Sequence, residues 1–367
     1  MQQTRDRLAD ILKGIGIVSV VIGHSGTLLP GLERIPIIQF VYLYHLMLFF
    51  FVAGMVFNPE RYANAYVYIG RQIKASYLPY IAYNICFLLL HNLMISIQML
   101  DVAKYALSDF VICGCHTLTL HYTETIVGSL WFVPMFLISK ALFAIFFEMA
   151  EHCRFRMVGH TIVILIFATL GVYTNHFGMF LNNNLQTAMI GVPVIYLGYF
   201  FNKYREKLIK LVNPVSCIAC AALMFAILYS GIGHIELSEN QIISPALFYP
   251  VTILGMLFCV SLAKIILEFN LSTKVFSHLG TISFHIMAQH FIVFKCFDWT
   301  YGLIFNSDRA AMMRFPHALE NLGWFYTVIG ICVPTVLVCL FRHIKSNGFH
   351  FRGLRTLKEA DSENGNP

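Results

Sequence analysis

The sequence predicts an all-α fold: a polytopic integral membrane bundle of about ten transmembrane helices with both termini cytoplasmic. Three observations predict it. Hydrophobic residues make up 58% of the chain and charged ones 12%, with a mean hydropathy of +0.69, a balance that excludes a water-soluble globule. Apolar runs of about 20 residues, the length a bilayer core demands, recur along the chain between short polar or Pro/Gly-containing stretches. Lys and Arg gather on one side once those runs are threaded back and forth, as the positive-inside rule requires. Strand-period alternation is absent, and open sheet edges cannot face lipid, so the spans are helices.

The first span, about 9–29, follows Arg5 and Arg7; no A-x-A cleavage site follows it and it is long enough to cross, so it is expected to remain in the protein. The second, about 36–57, holds "YHLMLFFFVAGMVF". The third, about 76–98, starts just after Arg71 and Lys74, and the fourth, about 127–147, opens on "SLWFVPMFL". The fifth to eighth are expected at about 158–174, 184–201, 212–231 and 242–266, the ninth at about 279–300 and the tenth at about 321–341, each to within a few residues. The transmembrane domain is thus 1–345, with a polar cytoplasmic tail at 346–367. With the N-terminus in the cytoplasm, the cations of the 61–74, 154–156, 203–210 and 342–358 stretches share that side, whereas the other side receives Arg34, Lys104, Arg309 and Arg314. The net charge of +6 is then a topology signal, and no nucleic-acid partner is implied. The ten cysteines lie mostly inside spans and suggest no disulfide framework. Cys113, Cys115, His116 and His121 fall in the outward loop at about 99–126, but their spacing matches no standard ligand pattern and no metal is expected. Glu124 and His121 are read as solvated loop residues.

The first span carries chemistry. Lys13 and His24 are eleven residues apart, three turns plus about 20°, so both project from one face with about 16 Å between them. Titratable groups inside a bilayer are costly and normally face a bundle interior or a water-filled path. Asp10 lies one turn before Lys13, either pairing with it or facing water. A second imidazole, His290 in "SFHIMAQHF", is expected at the depth of His24, while His285, five residues earlier, points about 140° away.

These residues resemble the acyltransferase-3 membrane family, in particular its fucose 4-O-acetylase-like group. The K-x10-H spacing of Lys13 and His24 is similar to the family's first-span signature. His45, Phe49, Phe50, Phe51 and Gly54 resemble its second-span pattern, with Ala53 where serine is usual. Arg71 and Lys74 stand for its R-x-x-R element, Lys74 keeping the charge without the bidentate fork. Trp131 and Phe132 match the fourth-span motif, and Ser283 and His290 the ninth-span motif, where Met287 replaces a frequent tyrosine. The resemblance implies an O-acyltransferase that moves an acetyl or other short acyl group from cytosolic acyl-CoA to a hydroxyl of a surface glycan or its lipid-linked precursor, in a bacterial cytoplasmic membrane. Some members carry an extracytoplasmic hydrolase-like domain; none is present in these residues, so transfer is expected to finish in the membrane domain or with a separate extracytoplasmic partner.

O-acylation needs a base, a site for a polyanionic donor and stabilisation of an oxyanion. His24 is the expected general base, with His290 and His45 orienting it or binding the acceptor. Lys13, Arg71, Lys74 and Arg7 form the expected cationic mouth for acetyl-CoA. Trp131, Ser283 and Asp10 are expected on the substrate. Direct transfer and a covalent acyl-histidine relay both fit. The alternative from a different class is a secondary transporter, because intramembrane His, Lys and Asp also build proton relays; against it, no pair of interrupted spans occupies matching halves.

Overall fold

A computed structural model describes residues 6–31 and 33–363, with side chains described through 346 apart from 182. It is helical throughout, and among the described residues no strand forms beyond an isolated Glu236–Gln241 bridge. Sixteen α-helices succeed one another: α1 (Arg7–Gly23), α2 (Ile37–Tyr42), α3 (His45–Met55), α4 (Ala65–Gln72), α5 (Leu78–Ser96), α6 (Leu107–Leu118), α7 (Phe132–Glu151), α8 (Arg156–His176), α9 (Leu185–Lys203), α10 (Arg205–Leu208), α11 (Pro214–Tyr229), α12 (Phe248–Glu268), α13 (Thr273–Thr281), α14 (Ser283–Phe305), α15 (Arg309–Met312) and α16 (Gly323–Glu363). Among the described residues, seven stretches are long and apolar enough to cross a membrane. Helices also occupy the remaining expected positions. Of these α1 and α11 are shorter, and α14 is diluted by His285, Gln289, His290, Lys295 and Asp298. The expected tail continues α16 as helix through Glu363, and Arg5 and residues 364–367 lie outside the described residues.

Helix α1 is the hub. Asp6 caps it, its carboxylate accepting from the Leu8 and Ala9 amides while the Arg205 guanidinium donates to it, which suits the positive end of a helix dipole. Thirteen of its seventeen residues are buried, so its apolar side chains run all round rather than in a stripe. Around it pack α3, α12, α13, α14 and α16. Close approach depends on glycine: a Cβ on Gly14 would lie 2.2 Å from the Phe276 carbonyl oxygen, and one on Gly280 would lie 1.9 Å from that of Asp10. The outer helices show the opposite pattern, with Leu89 of α5, Leu165 of α8, Ile218 of α11 and Leu340 of α16 at least half exposed, the surface lipid is expected to cover.

Three expected spans are interrupted. The second breaks at Leu43 and Tyr44, between α2 and α3. The ninth breaks at Ile282, separating α13, which packs on α1, from α14. The third is one 32-residue rod, Ala65–Ser96, with a π-helical turn at Ile73–Tyr77 inside it. Such turns add a residue to the helix and re-aim the side chains around it. The expected outward loop after it contains α6, whose start is fixed by the Asp109 carboxylate accepting from the Ala106 amide. Glu124 is fully buried, which corrects its reading as a solvated residue. It accepts from His91 Nδ1 at 2.9 Å and from the Tyr122 hydroxyl at 2.6 Å, and its own amide donates to Asn84. His121 is exposed, its Nδ1 3.1 Å from the Thr119 hydroxyl.

Beyond α14 the chain returns over the bundle end and is held there by a buried ion pair. Lys295 Nζ donates to Asp298 at 3.0 Å and to the carbonyls of Met312 and Arg314. Asp298 also accepts from the Ala318 amide and the Tyr326 hydroxyl. Every polar atom of the pair is engaged, so removing one partner strands the other. Lys295→Met is expected to cost about 3–5 kcal/mol, read as a fall in thermal unfolding temperature of the detergent-purified protein, and a Lys295→Met/Asp298→Asn double variant is expected to recover part of it. A Lys295→Met protein as heat-resistant as the parent would show that the pair does not hold this segment.

Candidate active site

Helix α1 ends at His24, whose ring meets His290 of α14 at a centroid distance of 5.6 Å with the planes 24° apart. Phe291 closes the pair edge-on, 5.0 Å from His24. Tyr42 lies 6.5 Å from His24 and 4.9 Å from His45. Histidines of three different helices therefore share one aromatic cluster. The break before His45 serves this placement: with Leu43 and Tyr44 out of the regular helix, His45 Nδ1 reaches the Val41 carbonyl at 2.9 Å.

The hydrogen bonds set the tautomers. A carbonyl oxygen only accepts, so Nδ1 of His45 donates to Val41 and Nδ1 of His290 donates to Ile286 at 3.2 Å. In each neutral ring the lone pair is then on Nε2. For His290 that nitrogen is buried without a hydrogen-bond partner, as expected of a group kept free for a reacting atom. His317 of the returning segment is also buried, with Nδ1 unpartnered. Its ring presses on Gly26, where φ is +80° and a Cβ would lie 2.7 Å from the His317 ring.

Two cavities flank the histidines. The smaller, a cleft of about 30 Å³, opens on the far side of the bundle from the N-terminus and is lined by His24, Tyr42, His45, Ser129, Trp131, Glu236 and Ser238, among others. The larger, about 280 Å³, lies toward the N-terminal side and is lined by Lys13, Gln72, Ser76, Lys140, Ser283 and a mainly apolar wall. Phe49, Phe132 and Met287 line both, so the two spaces are separated by these three side chains. Ser129, in the 3-10 turn Thr125–Trp131 that leads into α7, donates to the Met287 carbonyl at 2.6 Å and ties this partition to α14.

The structure thus joins His24, His290, His45 and Trp131 at one level. Lys13 lines the larger cavity, its Nζ 3.5 Å from Asp10 and its side chain 30% exposed. Arg71, Lys74 and Arg7 are exposed at the same end. Arg71 lies 5.0 Å over the ring of Tyr62, which lines the cavity, and Lys74 sits in the π-turn beside the lining residues Ala75 and Ser76. The two other residues expected on the substrate lie apart from the histidines. Asp10 is buried beneath Lys13, fourteen residues or about 21 Å of helix from His24, and Ser283 lines the larger cavity, about 10 Å of helix from His290. His285 turns away to Tyr83, 2.9 Å from its hydroxyl.

Sequence reasoning passed over Lys140, Tyr42, Ser129, Glu236 and His317. For Lys140 the signal was available, since a lysine inside "FVPMFLISKALF" obeys the same rule that singled out Lys13. Tyr42, Ser129, Glu236 and His317 join the site through breaks and loops whose course no periodicity reveals. Among the described residues no group of three or more His, Cys, Asp or Glu is arranged to hold a metal ion.

No curated protein and no solved structure matches the chain. A family model described as an acyltransferase domain matches residues 8–343, a range that takes in every helix lining both cavities. The chain therefore belongs to the acyltransferase-3 family and is a membrane acyltransferase.

Proposed function

We propose that this acyltransferase takes an acetyl group from cytosolic acetyl-CoA and delivers it to a hydroxyl of a surface carbohydrate, or its lipid-linked precursor, on the other face of a bacterial cytoplasmic membrane. Both termini are cytoplasmic in this reading. The observation that carries it is the pair of cavities on opposite sides of one thin aromatic partition, with stacked histidines beside it. A donor entering past Lys13 places its charged end near the cations and its thioester near Phe49, Phe132 and Met287. The acceptor enters between Trp131, Tyr42 and Glu236, where an indole face and a carboxylate suit a sugar.

The chemistry then follows. His24 takes the proton of the acceptor hydroxyl as its oxygen attacks the thioester carbonyl, the C–O bond forms, the C–S bond breaks, and the proton passes to the leaving CoA thiolate. A two-step version puts the acyl group first on a ring nitrogen, either of His24, which lines the smaller cavity, or of His290, whose unpartnered Nε2 is buried beside it. The test uses the protein in proteoliposomes with [14C]acetyl-CoA and the surface-glycan and lipid-linked-sugar fractions of the source cells. Label is expected in base-labile esters of one fraction, with equimolar CoA thiol released. Thiol release and label no higher than in empty liposomes would overturn the reading.

A further inference from the structure

Lys140 projects from α7 into the wall of the larger cavity and is only 3% exposed. Its ammonium donates to Gln72 Oε1 at 2.8 Å and lies 4.1 Å over the Phe136 ring. No carboxylate pairs with it among the described residues. The contrast with Lys295 is instructive, because that equally buried lysine has a carboxylate and two carbonyls. An ammonium has three protons to donate, and a buried one without a counter-ion is costly. The cost is offset when an anion enters the cavity that Lys140 faces.

We propose that Lys140, with Gln72 and with Lys13 on the same cavity, is an internal anion site for the diphosphate of the acyl donor. This rests on the acyl-CoA reading above and deepens it. Lys13 stands about 16 Å of helix from His24, a span that a pantetheine arm bridges, so a diphosphate held between Lys13 and Lys140 leaves the thioester at the partition. Arg71 and Lys74, exposed at the mouth, are then left for the more distal nucleotide end. The pocket's own chemistry favours a multiply charged oxyanion: the ammonium groups of Lys13 and Lys140 and the amide of Gln72 line a wall that is otherwise mainly aromatic and aliphatic, and among the described residues no carboxylate lines it.

The test compares wild type, Lys140→Met and Lys140→Arg in nanodiscs, measuring binding of CoA, dephospho-CoA, pantetheine and inorganic pyrophosphate together with acetyl-CoA kinetics. Lys140→Met is expected to weaken CoA and dephospho-CoA at least tenfold by the same factor, to abolish pyrophosphate binding and to leave pantetheine unchanged, with KM raised and kcat held within about twofold. Lys140→Arg keeps the charge and stays within a few fold. Because the charge is uncompensated in the empty protein, Lys140→Met is also expected to raise its unfolding temperature, whereas a purely structural lysine would lower it. The proposal falls if Lys140→Met binds CoA like wild type, loses pantetheine by the same factor, or if wild type binds neither CoA nor pyrophosphate. Lys140-dependent CoA binding without any acyl-CoA consumption would keep the site and remove the acetyl-CoA reading; normal transfer with an unchanged KM in Lys140→Met would do the reverse.

Discussion

Replacing His24 with Ala is expected to lower acyl transfer by about 10²–10⁴-fold, the range set by losing a positioned general base, in protein that still extracts and unfolds like wild type. The ring is partly exposed to the cavity and its neighbours are Tyr42, His290 and Phe291, so its loss opens space that water can enter. His24→Asn, which keeps some bulk and polarity but has no comparable basicity, serves as the control for packing and should be as inactive. His290→Ala is expected to fall in the same range, because its Nε2 is kept without a partner beside His24. Residues acting as one unit are not additive, so the double variant should be little worse than either single one. His45 lies one ring further away, past Tyr42, and its replacement is expected to cost about tenfold. Wild-type rates of transfer from labelled acetyl-CoA in His24→Asn membranes, at matched expression, would remove His24 as the base. If the His24 variants still release one equivalent of CoA without forming ester and the label stays covalently on the protein, His290 carries the acyl group.

How far the sequence foretold this arrangement follows from which interactions are local. Composition and the absence of strand-period alternation identify a helical membrane bundle, because a backbone in lipid is satisfied only in helices or closed barrels. The face shared by Lys13 and His24 is local too, since three turns of one helix fix it. That His24 and His290 stack is a relation between helices 266 residues apart, and depth alone suggested it. Where the reading ran out, the chain departs from a straight span. No proline or glycine marks the break at Leu43–Tyr44, and Gly280, two residues before the break at Ile282, lies within the last turn of α13. At Ile282 the break goes with tertiary packing: α13 lies close on α1 at Gly14 and Gly280, while the Ser129 hydroxyl engages α14 through the Met287 carbonyl. Glu124 was misread for a related reason. A carboxylate in a polar stretch looks solvated until His91, thirty-three positions earlier on another helix, is found against it.

Gly54→Ala should be among the most damaging single-methyl changes available in this protein. Helices α3 and α9 cross with backbone against backbone: a Cβ on Gly54 would lie 1.9 Å from the Ile195 oxygen and 2.8 Å from the Tyr199 nitrogen, and one on Gly198 would lie 1.8 Å from the Phe51 oxygen. The obstructing atoms are main chain, so no rotamer change relieves the clash and the helices must part, as small residues at membrane helix crossings exist to prevent. Overpacking of this kind costs about 1–3 kcal/mol and occasionally more, and with no side chain able to yield, about 3 kcal/mol or above is expected here. Gly70 and Gly114, also helical but with nothing within 4 Å of a built Cβ, are the controls; alanine there should be neutral or gain up to about 1 kcal/mol. Activity separates this from ordinary destabilisation. Helix α3 carries both His45 and Phe49, so pushing it off α9 by an ångström moves the partition between the cavities and a histidine of the cluster together. A misplacement of that size can cost about 10²-fold in rate, and Gly54→Ala protein that remains folded at low temperature should already show it. Full transfer activity in Gly54→Ala, with unfolding unchanged from wild type, would mean that α3 and α9 do not cross this closely and that the partition is set by something else.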